Sequence, residues 1–498
     1  MLGLVLLLVG CGKEAEYVKV VPADAEIVAT FDCERIMNES GLFTSSDSEL
    51  QKHFLDSFKK NLSAGEQDLL ETILANPREV GVDWTQKVYA FVQSQTRIVA
   101  FVLPVSDREK LKASFLAFAG RKIHGRKFTE DDTFSWATGR QLSIAINDQV
   151  CLLITSAGKQ DSQSLKAHVS EWLNQSKEES FASTDYNEML LDLEGEIGVY
   201  ASMSSLPENI SLMASMAYSE DMDISSVKYL ADVSFHPGKV VANGKVLYEN
   251  SDFREWIKNQ DDVCKKLDGK SLRYLPKNTP LWCGVGLDGN DFFDHLLEHP
   301  SYGKQLQNMS LPLDMEGIIR SINGDIALAY PNGLFVDVEN DEILRICVGA
   351  IKTMGRFIGL SLDELSDNNY ALVDENHTFS RWLGKETQLQ LGMNDDSFYM
   401  LTSEEGTKKH EKEESLAAAP WADNVEDNLL FLAFNFREGL NLLDKYSTSG
   451  RNSKALQEYF DYVTYSQENI DTNTIVLSLI DQERNVLEQL IEFYLKNF

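Results

Sequence analysis

Basic residues are scarce in this 498-residue chain, where 46 Lys and Arg stand against 78 Asp and Glu and the formal net charge is −32. A field of that sign repels phosphate backbones, so nucleic acid is not expected as a partner. We read the excess as a solubilising surface rather than as an acidic face for cationic partners or divalent ions. Long apolar runs are also missing. Beyond the opening residues, no stretch reaches the roughly 20 apolar residues that a membrane-crossing helix needs. Cysteine is sparse: apart from Cys11 there are Cys33, Cys151, Cys264, Cys283 and Cys347, an odd number without paired short spacing. Neither a disulfide framework nor a zinc site follows. Most lie in apolar runs and read as small buried residues, with at most one or two disulfides.

Familiar catalytic signatures are absent or incomplete. No GxSxG elbow occurs, and the SAGK that begins at Ser156 is an SxxK without its companion motifs. The stretch DGKS, 268–271, has the form of a phosphate-loop end, but Cys264 holds the place of the first glycine and no convincing strand precedes it. Acid pairs such as Asp131 with Asp132, or Asp395 with Asp396, are too common in so acidic a chain to nominate a glycosidase dyad. Gly284, Gly286 and Gly289 have dinucleotide-fingerprint spacing, yet no second strand ending in an acid follows, so they read as small residues in a crowded strand. No cofactor is expected.

One histidine pair stands out. His295 and His299 lie four apart in DFFDHLLEH, with Asp291, Asp294 and Glu298 nearby, so on a helix the two imidazoles share a face. They could hold zinc or another divalent ion together with one carboxylate. The metalloprotease pattern is broken, because Leu296 stands where its glutamate belongs. The competing reading is an ordinary solvated polar face.

What is present begins at the amino terminus. Leu2 to Val9 is an unbroken apolar run, followed by Gly10 and Cys11 and then an abrupt turn to polar residues. The run is too short to span a bilayer and has the form of a secretory h-region ending in a small residue. Leu8, Val9, Gly10 and Cys11 resemble the lipobox of bacterial lipoproteins, which implies cleavage before Cys11 and acylation of its thiol. No basic residue precedes the run, a departure that points to a true start codon further upstream. Several acyl chains would make a stable anchor, and the tether, 11–16, would hold the body close to the bilayer.

The length predicts at least two domains, and internal similarity supplies them. QLSIAINDQVCLLITS from Gln141 matches QLQLGMNDDSFYMLTS from Gln388 without gaps. KEESF from Lys177 faces KEESL from Lys412, the hairpin from Tyr229 faces that from Tyr459, and VPADAEIVATF from Val21 parallels LPKNTPLWCGV from Leu275. The matches keep their order while their spacing shrinks, as duplication followed by loop deletion produces. The expectation is a signal peptide at 1–10 and two diverged copies of one unit at 17–272 and 273–498. Hairpins dominate each copy, which predicts an α+β fold of mainly antiparallel sheet with helices packed on it. Ser106 and Glu109 form a capping box for a helix with Leu111, Phe115 and Phe118 inward. The charged, Ala-rich stretch 403–424 reads as an exposed loop, and Met203, Met213, Met216 and Met222 as core or loop residues.

The lipobox, the proline-led strand PADAEIVATFD, the VYAFV and IVAFVLPVSD hairpin and the GEIGVYA and GDIALAY strands together resemble one family. It is the group of uncharacterised lipoproteins of Bacteroides-type bacteria classed as a domain of unknown function. The resemblance covers nearly the whole chain and implies envelope location; it supplies no activity. The expected function is therefore that of a non-enzymatic binding or assembly module, lipid-anchored through Cys11 in the cell envelope, at the outer membrane, with an envelope protein or glycan as ligand. Display on the periplasmic or the surface face is left open. The alternative is a metal-assisted hydrolase of glycans or peptides centred on His295 and His299.

Overall fold

A computed structural model describes residues 16–43, 48–59, 62–93, 98–119, 123, 127–131, 133–139, 142–156, 162–205, 224–258, 263–298, 314–374, 389–395, 397–402, 407–444 and 451–497. These group into two compact units. Described residues up to 205, with 224–247 and 483–497, form the first; those from 248 to 482 form the second. The carboxyl-terminal helix Val486–Asn497 thus belongs to the first unit.

In the first unit the strands are β1 Ile27–Phe31, β2 Val88–Gln93, β3 Ile98–Pro104, β4 Thr129–Glu130, β5 Ser135–Thr138, β6 Ser143–Ile146, β7 Val150–Ser156, β8 Ile197–Ser202, β9 Val227–His236 and β10 Lys239–Tyr248. They hydrogen-bond in the order β10-β9-β8-β1-β2-β3-β7-β6-β5-β4. The ladders from β9 to β4 are antiparallel.

The second unit contains β11 Leu281–Asp288, β12 Ile322–Tyr330, β13 Gly333–Val338, β14 Leu360–Ser366, β15 Asn369–Asp374, β16 Leu389–Asn394, β17 Ser397–Leu401, β18 Leu430–Asn435, β19 Phe460–Asn469 and β20 Thr472–Leu479. Its order, β20-β19-β18-β11-β12-β13-β17-β16-β15-β14, is that of the first unit strand for strand, again with antiparallel ladders. The α+β class read from the hairpins is what the chain adopts.

In β1 and β11 burial alternates with period 2, which selects the face turned to the core. Val28 and Thr30 of β1 and Tyr89 and Phe91 of β2 point into one core, where Phe91 meets Trp172 of the helix Ser162–Asn174 edge to face at 5.2 Å. In the second unit Trp282 of β11 lies among Trp421 and Phe431, with ring centroids 6.2 Å away in each case. Both units carry a helix after the third strand of this series, Arg108–Ala119 after β3 and Glu342–Ile358 after β13. Leu111 seals the first, and Ile343, Leu344 and Val348 seal the second.

The proline-led segments are bolted in the same manner. Pro22 bridges to Ser180 and Pro276 to Ser415, the N–H of Phe181 donates to the Val21 carbonyl at 2.9 Å, and that of Leu416 donates to the Leu275 carbonyl at 2.8 Å. In each bolt the serine hydroxyl donates to a lysine carbonyl three residues back, Ser180 to Lys177 at 2.7 Å and Ser415 to Lys412 at 2.9 Å.

Three local expectations change. The helix Arg108–Ala119 is capped by Asp107, whose carboxylate accepts from the Lys110 N–H at 3.0 Å, and Phe118 points outward. Of the stretch 403–424, the described part from 407 is not a loose loop: it forms short 3-10 turns that bury Leu416, Trp421 and Ala422 in the core. The five described cysteines are free thiols, but only Cys151 is fully buried; the other four are half-buried, and burial pushes Cys33 up to about 11. Met213, Met216 and Met222 lie outside the described residues. Among the described residues, no helix is long and apolar enough to cross a membrane.

Candidate metal centre

The residues that converge are three aspartates of the second unit. Oxygens from Asp268, Asp325 and Asp337 lie within 4.8 Å of one another. Asp325 and Asp337 sit on neighbouring strands, one step beyond the Ile326–Val336 pair of β12 and β13. A register shift between Ile322 and Ile326 sets residues 323–325 of β12 against Asp337 alone. Asp325 keeps the alternation of β12 and shares a buried face with Ala327 and Ala329, as Asp337 does with Phe335 on β13, while Ile322 and Val336 belong to the cluster on the opposite face; the irregularity lies beside the pair. Gly324, at φ +141°, lies inside it, and a Cβ there would stand 3.1 Å from that of Asp337.

Each carboxylate is held differently. Asp325, 3% exposed, accepts from the backbone N–H of Asp268 at 3.1 Å and of Gly269 at 2.8 Å. Gly269 stands in the left-handed region, φ +66°, and opens the turn Lys270–Tyr274. The amides of Asp268 and Gly269 are thus taken by Asp325, and that of Lys270 by Asp268 at 2.9 Å, so these three do not form a phosphate cradle. Asp337, 6% exposed, accepts at Oδ1 from the Ser397 hydroxyl, while its buried Oδ2 has no hydrogen-bond partner. Asp268 is partly open to solvent, and the Lys270 ammonium stands 2.6 Å from its Oδ2 and 3.8 Å from Oδ2 of Asp337.

Burial raises Asp325 to about 7, assisted by the Asp268 charge and opposed by the two amides. Burial raises Asp337 as well, against the Ser397 hydroxyl. Lys270 is raised by its hydrogen bond to Asp268. Oxygen-only donors of this kind suit hard cations, not zinc or copper.

Of the residues singled out in the sequence, His295 lies half-buried on the helix Gly289–Glu298, and His299 lies outside the described residues. The neighbouring Asp294 is engaged by Arg320 at 2.6 Å. Cys11 also lies outside them. The glycines of GVGLDG are crowded as expected: a Cβ on Gly286 would come within 2.1 Å of the Lys265 carbonyl oxygen, and one on Gly289 within 1.9 Å of that of Ile319. Gly284 and Gly286 lie on β11, which has antiparallel neighbours on both sides rather than the parallel partner of a dinucleotide fold, and Gly289 begins the helix that follows. The aspartate cluster escaped sequence reading because its members are far apart in the chain. Its local signal was an acid set in an otherwise apolar strand, Asp325 before IALAY and Asp337 between Val336 and Val338.

The fold and site define an α+β protein whose units are each built on antiparallel strands, the second with an internal carboxylate cluster. The chain belongs to the family described as Domain of unknown function (DUF4836), whose model matches residues 17–487. No curated protein matches it. Among solved structures it is similar to crystal form I of TP0453, at 10% identity and a TM-score of 0.27, covering 49% of this chain and 85% of that one. Crystal form III of TP0453 gives 9% identity and a TM-score of 0.28 over 50% and 87%. Superposition this loose carries no argument about function.

Proposed function

We propose that this protein is an exported lipoprotein of the cell envelope, anchored to the outer membrane by lipid on Cys11, and that it works as a binding or assembly module rather than as an enzyme. The observation that carries the reading is the apolar run Leu2 to Val9 with Gly10 and Cys11, directly ahead of residue 17, where the family match begins. Diacyl or triacyl modification there would supply the anchor that no described helix provides. An envelope protein or a glycan is the class of ligand that fits such an address.

The body is best understood as one doubled unit, with copies at 17–272 and 273–498. Support comes from collinear sequence matches and from strand orders and proline bolts that correspond one for one. Independent origins would have to reproduce ten strand positions in the same order.

The test is fractionation and mass spectrometry of the protein from its native membrane. The expected result is a mature chain beginning at an acylated Cys11, released from the membrane fraction by Cys11→Ser. An unmodified terminus, or membrane retention of the serine variant, overturns the anchor. Cross-linking in intact envelopes followed by purification tests the binding role, which fails if no envelope component is captured.

A further inference from the structure

We propose that Asp268, Asp325 and Asp337 bind a hard divalent cation, Ca2+ in the first instance, and that Lys270 is the internal counter-ion which the metal displaces. This inference does not depend on export or on the lipid anchor.

Two observations point to a ligand. The first is the set of donors: three carboxylates contribute oxygens within 4.8 Å of one another, a span that one ion with Ca–O bonds of about 2.4 Å can bridge. The second is Oδ2 of Asp337, which is buried and accepts no hydrogen bond. Leaving such an acceptor unsatisfied is unfavourable, and more so when it is charged. That oxygen is aimed into the cluster, because it and Oδ2 of Asp268 face the same point, marked by the Lys270 ammonium at 3.8 and 2.6 Å.

Charge and rigidity agree with this assignment. Three carboxylates face one ammonium, so the ionised cluster carries an excess of two negative charges, which one divalent ion neutralises. Asp325 is fixed by two backbone amides and Asp337 by Ser397, so two ligands are already in place before any ion arrives. Asp268, with 43% of its side chain exposed, is the open side through which an ion enters and water completes the shell. Lys270 is 57% exposed on a flexible stem and can leave by rotation. Ca2+ tolerates irregular coordination, whereas Mg2+ demands near-octahedral geometry and gives up water reluctantly. A cluster assembled from one turn and two strands favours the tolerant ion.

The test uses the full chain, stripped with EDTA, desalted, and titrated with CaCl2 at constant ionic strength. Calorimetry should show saturable one-to-one binding, and Tm should climb with Ca2+ concentration, as linkage requires. Asp337→Asn should weaken binding by about tenfold or more, the scale seen when a metal site loses a supporting group. Lys270→Gln removes the competitor and should bind Ca2+ more tightly than the parent, and it decides the matter if Asp337→Asn does not fold. Absence of saturable heat and of any Tm shift at millimolar Ca2+ overturns the proposal. So does equal affinity in Asp337→Asn, or weaker binding in Lys270→Gln, since either would place the ion elsewhere on the acidic surface.

Discussion

The backbone N–H of Gly269 donates to Oδ2 of Asp325 at 2.8 Å, joining residues 56 apart in the chain. Together with the Asp268 amide it turns a short loop into a cradle for an internal carboxylate. The same hydrogen bonds lower the cost of ionising Asp325, yet burial outweighs them and leaves its pKa at about 7.

That balance sets a pH dependence for the metal-free protein. An ordinary aspartate in the unfolded chain titrates near 3.8, so between that value and about 7 the folded state holds a proton which the unfolded state has lost. The contribution of Asp325 to stability is therefore greatest at low pH and declines as pH rises towards 7, by something on the order of a few kcal/mol. The facing groups, Asp268, Asp337 and Lys270, remain in place in the control. Urea unfolding in EDTA at pH 5 and pH 8 should show the decline in the parent and a flatter profile in Asp325→Asn. An identical slope in both would contradict the assignment.

Leu416 lies in a stretch whose composition reads as a loop, but it is only 2% exposed in the core. Leu416→Ala should cost about 2–5 kcal/mol through lost contacts and an unfilled cavity. Leu365, 55% exposed on β14, offers the contrast, and Leu365→Ala should stay within about 0.5 kcal/mol. Denaturant midpoints of the two variants distinguish a core turn from a connector.

Two glycines of the second unit should respond in opposite directions. Gly286→Ala drives a methyl against the Lys265 carbonyl and should destabilise by about 1–3 kcal/mol. Gly349, inside the helix Glu342–Ile358, has open space around it, so Gly349→Ala should stabilise by about 0.5–1 kcal/mol through helix propensity. Thermal denaturation of the pair reads both signs.

The two proline bolts predict paired behaviour. Ser180→Ala and Ser415→Ala each remove one hydrogen bond from a fully buried serine hydroxyl to the carbonyl of an exposed lysine. Each should cost about 1 kcal/mol. A large loss in one with none in the other would show that the bolts are not mechanically equivalent.

Much of the architecture was legible because it rests on local patterning. The short apolar runs VYAFV and IVAFVLP, separated by a polar turn, mark β2 and β3, and the Asn-Asp turn at Asn147 marks the β6–β7 hairpin. The helix after β3 was legible as well, but its cap was misplaced by one residue. Ser106 and Asp107 are both good caps, and only the backbone path, with Asp107 accepting from Lys110, distinguishes them. The stretch 403–424 misled through its charge: Leu416 and Trp421 are buried by turns whose partners, such as Leu275, lie far away in sequence.

The sequence by itself determined the sign of the surface charge, the α+β class, the antiparallel character of the sheets and the crowding at Gly286, since each follows from composition or from short-range periodicity. Tertiary structure alone decided the aspartate cluster. Asp325 and Asp337 meet because the pairing of β12 with β13 and the alternation of each strand send both carboxylates to the same buried face, and Asp268 joins them through a loop closing across 57 residues. Carboxylates that repel one another have no local reason to assemble, so their meeting is a property of the packed sheet and not of any segment within it.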